Sequence, residues 1–173
     1  MGVDPARVHG FAPVARSDAR ILILGTMPGT VSLGRAEYYA HARNAFWRIA
    51  QALFGVDSSA GYAARLQALQ DARVALWDVL SDCVRPGSLD AAIVGGSVVA
   101  NDFAGFFDQH PHIEVIGLNG AKAAQLYQRH VVPTLAGRAQ PRVLALPSTS
   151  PAHAALSFDA KLAAWRALLR PPA

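Results

Sequence analysis

The chain has 173 residues, 52% of them hydrophobic and 16% charged, with a formal net charge of +4. That length and composition suit one domain with a real core and exclude a disordered chain. The single cysteine, Cys83, excludes an internal disulfide and a four-cysteine zinc or iron–sulfur site, and is read as a small buried apolar residue.

Residues 1–18, broken by Pro5 and Pro13, are expected to form an irregular lead-in. Arg20 to Leu24 is a short aliphatic run that ends in Gly25-Thr-Met-Pro-Gly29. Such a run predicts a strand buried on both faces, as in a parallel sheet. The spacing of Ala45, Phe46, Ile49, Ala50 and Leu53 predicts a helix over 44–54, and a second helix is expected over 62–70. A strand follows at 74–77 and leads into Asp78-Val-Leu80. Helices are expected over 89–94 and 100–110, the latter capped by Asn101 or Asp102. Residues 113–118 read as a third strand halted by Asn119-Gly120, with a helix over 121–130. Residues 143–146 read as a fourth strand, running into Pro147-Ser-Thr-Ser-Pro-Ala-His153, and a helix over 158–169 closes the chain.

Strands alternating with helices predict a three-layer α/β/α sandwich around a central, mainly parallel four-stranded sheet, the whole chain forming one domain. Each strand runs into a polar or glycine-rich loop at its C-terminal end, the edge that carries ligand sites in open α/β sheets. Residues 25–29, 78–85, 119–120 and 148–153 are therefore expected to converge.

No apolar run reaches the about 18 residues of a membrane span. Asp4 and Pro5 stand where a signal peptide would need a basic region and an apolar core, so a cytoplasmic, nucleoid-associated protein is expected. The basic surplus permits contact with a phosphate backbone without requiring it. His110, His112 and His130 lack metal-ligand spacing and read as solvated loop residues.

Three segments carry chemistry. Gly25 and Gly29 allow close approach of backbone N–H groups to a ligand, although the loop lacks both dinucleotide-binding and P-loop spacing and also reads as a plain turn. Tyr38-Tyr-Ala-His-Ala-Arg-Asn-Ala-Phe-Trp47 gathers four aromatics with His41, Arg43 and Asn44. Phe46 and Trp47 are read as core and Asn44 also as a helix cap, while Tyr38 or Tyr39 could stack on a base. The Ser148–His153 loop places hydroxyls between two prolines. It offers donors to phosphate oxygens, or else a turn and a cap. No G-x-S-x-G elbow accompanies Ser150 and His153, which disfavours a serine hydrolase.

Together these segments resemble the uracil-DNA glycosylase superfamily, and within it the hypoxanthine-DNA glycosylase branch. The resemblance spans roughly residues 18–169. It runs through Leu24-Gly-Thr-Met-Pro-Gly29, Ser32-Leu33, the Tyr38–Trp47 segment, Leu76-Trp-Asp-Val-Leu80 with Cys83, Gly87-Ser-Leu-Asp90, Asn101-Asp102, Asn119-Gly120 and Leu146–His153. It implies a monofunctional enzyme, without cofactor or metal, that hydrolyses the N-glycosidic bond of a deaminated base in DNA. Hypoxanthine is the expected base. Uracil at mismatches is the alternative, and a non-catalytic nucleic-acid-binding module a remoter one. A monomer is expected.

The resemblance assigns catalysis to Asn44, whose amide can orient water but has no useful pKa as a base. Substrate contacts fall to Gly25, Met27, Pro28, Gly29, Tyr39, His41, Asp78, Asn119, Ser148, Ser150 and His153. Asp78 would accept hypoxanthine N1–H, Asn119 would serve O6 or N7, and Tyr39 would stack. Two departures stand out. Met27 occupies a place where many superfamily members carry a water-positioning Asp or Asn, and Ala42 replaces an expected proline. Glu37, close to the first loop, is held as a reserve water activator. Arg43 and Arg48 are candidate phosphate contacts.

Overall fold

The computed structural model describes residues 7–171. Its centre is a four-stranded sheet of β2 (Ile21–Gly25), β3 (Val74–Asp78), β6 (Val115–Asn119) and β7 (Arg142–Leu146). The order is β3-β2-β6-β7 and every pairing is parallel. A smaller antiparallel sheet, ordered β1-β4-β5, joins β1 (Arg7–His9), β4 (Leu80–Val84) and β5 (Val99–Ala100).

The aliphatic runs are continuous because both faces of the main sheet are covered. Leu22, Leu24, Ala75, Trp77, Ile116 and Leu118 point into one core, with Phe103 and Phe106 of α4 (Phe103–Gln109) and Ala123 and Leu126 of α5 (Ala121–Leu126). The alternate residues Ile23, Val74, Leu76 and Val115 enter the other. There they meet α2 (Phe46–Phe54), α3 (Tyr62–Asp71) and α6 (Phe158–Trp165) through Phe46, Trp47, Ile49, Leu69 and Trp165. This is the expected α/β/α sandwich.

The expected elements differ from the observed ones mainly where pairing is non-local. Part of the expected irregular lead-in is β1, whose residues pair with Asp82 to Val84, and Val14 bridges to Leu76. Residues 1–6 of that lead-in lie outside the described residues. Strand β4 was not expected at all, and Ala100, expected to open a helix, belongs to β5 instead because it pairs with Leu80. The expected helix over 89–94 is a single 3-10 turn, Asp90–Ala92. The helix expected over 121–130 leaves α geometry after Leu126 and widens into a π turn over Tyr127–Val131. Asp102 does cap α4, accepting the Gly105 N–H at 3.0 Å.

Ile23 sits in the second strand of the main-sheet order with no exposed surface. Ile23→Ala should therefore cost about 2–5 kcal/mol, as deletion of a well-packed core side chain does. A urea titration checks this: the midpoint should fall while the slope stays unchanged.

Candidate active site

The parallel register sets Gly25 beside Asp78 and Asn119 beside Leu146, so the C-terminal ends of the four strands form one edge. From β2 the chain proceeds to β3 on one side, while β6 lies on the other. A crevice is required at such a reversal of strand order. A cavity of about 610 Å³ lies there.

All twelve residues expected at the site border this cavity: Gly25, Met27, Pro28, Gly29, Tyr39, His41, Asn44, Asp78, Asn119, Ser148, Ser150 and His153. Glu37 does not. It follows Ala36, whose left-handed φ of 54° closes the short helix α1 (Thr30–Arg35), and the turn brings Tyr38 and Tyr39 to the cavity in its place. Glu37 is therefore not placed to act as the reserve water activator. Asp90, Ser88, Leu89, Thr26 and Thr149 also line the cavity and were not singled out as site residues. Thr26 and Thr149 lie within the expected loops 25–29 and 148–153, and the other three within the Gly87-Ser-Leu-Asp90 run.

Asp78 is the more buried of the two carboxyls that border the cavity among the described residues. It is 4% exposed, and its Oδ2 has no hydrogen-bond partner. Its place depends on Gly25, where a Cβ would stand 2.5 Å from Asp78 Oδ1. Asn101 Nδ2 donates to the Asp78 carbonyl at 2.8 Å and holds the turn into β4. Burial, and then the neighbouring Asp90, push the Asp78 carboxyl up to about 7, against the opposing pull of Arg85. Near neutral pH it is substantially a neutral acid, with both an O–H donor and a carbonyl acceptor.

Asn119 is committed to the protein. Its Oδ1 accepts the Thr149 N–H at 2.9 Å, and its Nδ2 donates to Thr149 Oγ1 at 3.0 Å and to the Tyr39 hydroxyl at 3.3 Å. It locks the loop after β7 to the end of β6. Tyr39 takes a left-handed φ of 54°, a strained conformation for an aromatic residue, and one face of its ring stacks on Phe46 at 4.1 Å. Asn44 Oδ1 accepts the Phe46 N–H at 2.9 Å and so caps the start of α2. Only an oxygen can accept that bond, so the amide orientation is determined. One lone pair of Oδ1 and both Nδ2 hydrogens are left over.

Met27 borders the cavity while belonging to the core at 7% exposure. His41 Nδ1 accepts the Arg43 N–H at 3.1 Å, and Ser148 Oγ accepts the Ser150 N–H at 3.1 Å, so both side chains shape their own loops. The buried Lys161 donates to the His153 carbonyl at 2.7 Å and anchors the end of the last loop. Arg43 and Arg48 are both exposed, and Arg48 lies over the Phe158 ring at 3.9 Å. Among the described residues no three His, Cys, Asp or Glu side chains gather as a metal site.

The raised Asp78 pKa has a definite sign in stability. Between the ordinary carboxylate value and about 7, the folded chain holds a proton that the unfolded chain has lost, so stability falls as pH rises through that window and levels off above it. Asp78→Asn, which cannot ionise, should gain melting temperature relative to wild type across the window and keep that gain above it. Parallel melting-temperature curves for the two proteins would contradict the assignment.

Against this geometry, the sequence model of the uracil DNA glycosylase superfamily matches residues 12–169. A hypoxanthine DNA glycosylase of Methanosarcina barkeri is 37% identical over 118 residues, 68% of this chain and 73% of the relative. One of Methanosarcina acetivorans is 33% identical over 163 residues, 94% of this chain and 98% of the relative. A solution NMR structure from Methanosarcina acetivorans, described as a candidate uracil DNA glycosylase, superposes with a TM-score of 0.76 at 32% identity and covers 95% of this chain and 99% of its own. The parallel sheet, the cavity at its strand-order reversal and these matches agree: the chain belongs to the uracil DNA glycosylase superfamily.

Proposed function

We propose that this chain is a monofunctional DNA glycosylase that removes hypoxanthine from deoxyinosine, working as a single monomeric domain in the cytoplasm. The observation that carries a deaminated base as the substrate is the Asp78 carboxyl bordering the cavity, whose Oδ2 has no hydrogen-bond partner. Every deaminated base has a lactam edge, a carbonyl beside an N–H. A neutral carboxylic acid matches that edge twice: its carbonyl accepts hypoxanthine N1–H and its O–H donates to O6. The O–H bond also strengthens as negative charge gathers on the departing base, which lowers the barrier to C1′–N9 cleavage. Within that class, the names of the two relatives, both hypoxanthine DNA glycosylases, favour hypoxanthine.

Tyr39 supplies a stacking surface for the flipped base, stiffened from behind by Phe46. Asn119 acts indirectly, by holding Tyr39 and Thr149, because its amide is already engaged. The Ser148–His153 loop and the glycine-rich loop, which both border the cavity, meet the DNA backbone. Asn44 positions water through its remaining lone pair or contacts the sugar through Nδ2.

Uracil carries the same lactam edge, and the similar solved structure is described as a uracil enzyme. Cleavage of duplexes holding inosine, uracil, xanthine or mispaired thymine separates the readings. Inosine should be cut fastest, and base release should persist in EDTA. Faster cutting of uracil would transfer the assignment to the uracil reading.

Asn44 combines a structural and a chemical role, and three variants separate them. Asn44→Ala should lose about 1 kcal/mol of stability with the cap, and on the order of 10²-fold in single-turnover rate with the preorganised contact. Binding to inosine DNA should change much less, since phosphate contacts supply most of the affinity. Asn44→Asp and Asn44→Ser keep an oxygen for Phe46 and should restore stability, while only Asp should retain appreciable activity. A folded, fully active Asn44→Ala protein would remove Asn44 from catalysis.

A further inference from the structure

Asn44 is an amide and cannot take a proton from water, and the Asp78 carboxyl, in the reading above, is occupied by the lactam edge of the base. Two carboxylates border the cavity among the described residues, and the second is Asp90. We infer that Asp90 is the catalytic carboxylate of this glycosylase: it accepts a proton from the attacking water and opposes the positive charge on the sugar. This rests on the glycosylase reading above and names the residue that completes its site.

The position of Asp90 is built with some care by the surrounding protein. It opens a 3-10 turn, Asp90–Ala92, just after Gly87, which takes a left-handed φ of 77°. That segment is tied to the first loop at two points. The fully buried Arg85 donates from Nε to the Gly87 carbonyl at 3.1 Å and from Nη2 to the Pro28 carbonyl at 2.7 Å. Ser88 Oγ accepts the Thr30 N–H at 2.8 Å. A buried guanidinium with no hydrogen-bonded carboxylate is a costly way to shape a surface turn. Here it holds Asp90 against the first loop, beside Thr26.

The two carboxyls have the environments that an acid and a base need. Asp78 is closed off at the end of β3, while Asp90 is half-buried at the cavity wall. The groups facing Asp90 are Asp78 from β3, Thr26 from the first loop, Tyr39 from the aromatic segment, Arg85 from the end of β4 and Lys122 from α5. Burial raises the Asp90 pKa, and Thr26, Arg85 and Lys122 pull it back. Both carboxyls are raised by burial, but Thr26 and two nearby cations favour the ionised form of Asp90, while only Arg85 does so for Asp78.

The step balances as a hydrolysis. The C1′–N9 bond breaks with its electron pair passing to hypoxanthine, a water oxygen joins C1′, and the proton lost by that water goes to Asp90. Hypoxanthine takes up one proton as it leaves, and Asp90 later releases its own to solvent.

The test is single-turnover cleavage of an inosine duplex from about pH 5 to 9 by wild type, Asp90→Asn and Asp90→Glu, with binding to the same duplex measured alongside. Asp90→Asn should bind within a few-fold of wild type, cut about 10²-fold more slowly at neutral pH, and lose the fall in rate toward acid that wild type shows. Asp90→Glu should keep that acid limb and part of the rate. A folded Asp90→Asn protein that cuts at the wild-type rate, or more slowly with an unchanged acid limb, would overturn the assignment. If wild type releases no deaminated base at all, the functional reading fails as well; an active wild type with an unimpaired Asp90→Asn variant refutes the role of Asp90 alone.

Discussion

The missing side chain of Gly25 allows the rest of the site to exist. Parallel pairing sets the ends of β2 and β3 side by side, and any Cβ at Gly25 would stand 2.5 Å from Asp78 Oδ1 and 3.3 Å from the Tyr39 hydroxyl. With glycine there, a carboxyl and an aromatic ring share the floor of one crevice. Asp78 is only 4% exposed there, and that burial strengthens its hold on a proton. The chemistry of the floor is thus a consequence of sheet register and of one absent methyl group.

Two polar devices convert this floor into a fixed cavity. The Asn119 amide exchanges two hydrogen bonds with Thr149 and a third with Tyr39, so one side chain fixes the last loop and the stacking ring together. Arg85 does the corresponding work on the other wall through two backbone carbonyls. Both groups are buried, and a buried polar group that lost its partners would cost a full desolvation penalty. The loops are therefore strongly held in one arrangement, as a site that must meet a flipped nucleotide with little reorganisation requires. Strain accompanies this: Tyr39 keeps a left-handed backbone that few aromatic residues adopt, and it does so at the cavity.

Much of this architecture was open to reading from residue order alone. Continuous aliphatic runs such as Ile21 to Leu24 occur where a strand is covered on both faces, and the alternation of Leu22 and Ile23 between two cores bears that out. The loops that follow such strands must gather at one edge, and the loops beginning at Gly25, Asp78, Asn119 and Ser148 all border the cavity. Asn44 was legible both as a cap and as a site residue, and in the fold it caps α2 and borders the cavity at once.

The sequence by itself determined the layers, the strand ends and the chemistry carried by each loop, because these follow from local periodicity and from the chain's need to leave every strand at the same edge. Only the tertiary structure decided the rest. Strands β1, β4 and β5 are short and mix polar with apolar residues, and they exist because partners distant in sequence pair with them, as Arg7 does with Val84. Glu37 and Asp90 are both carboxylates near a recognisable motif, yet a left-handed turn at Ala36 leaves one away from the cavity and the Arg85 bridge sets the other on its wall. No local pattern distinguishes them, because a side chain's distance from a site and its protonation state are set by what is packed around it.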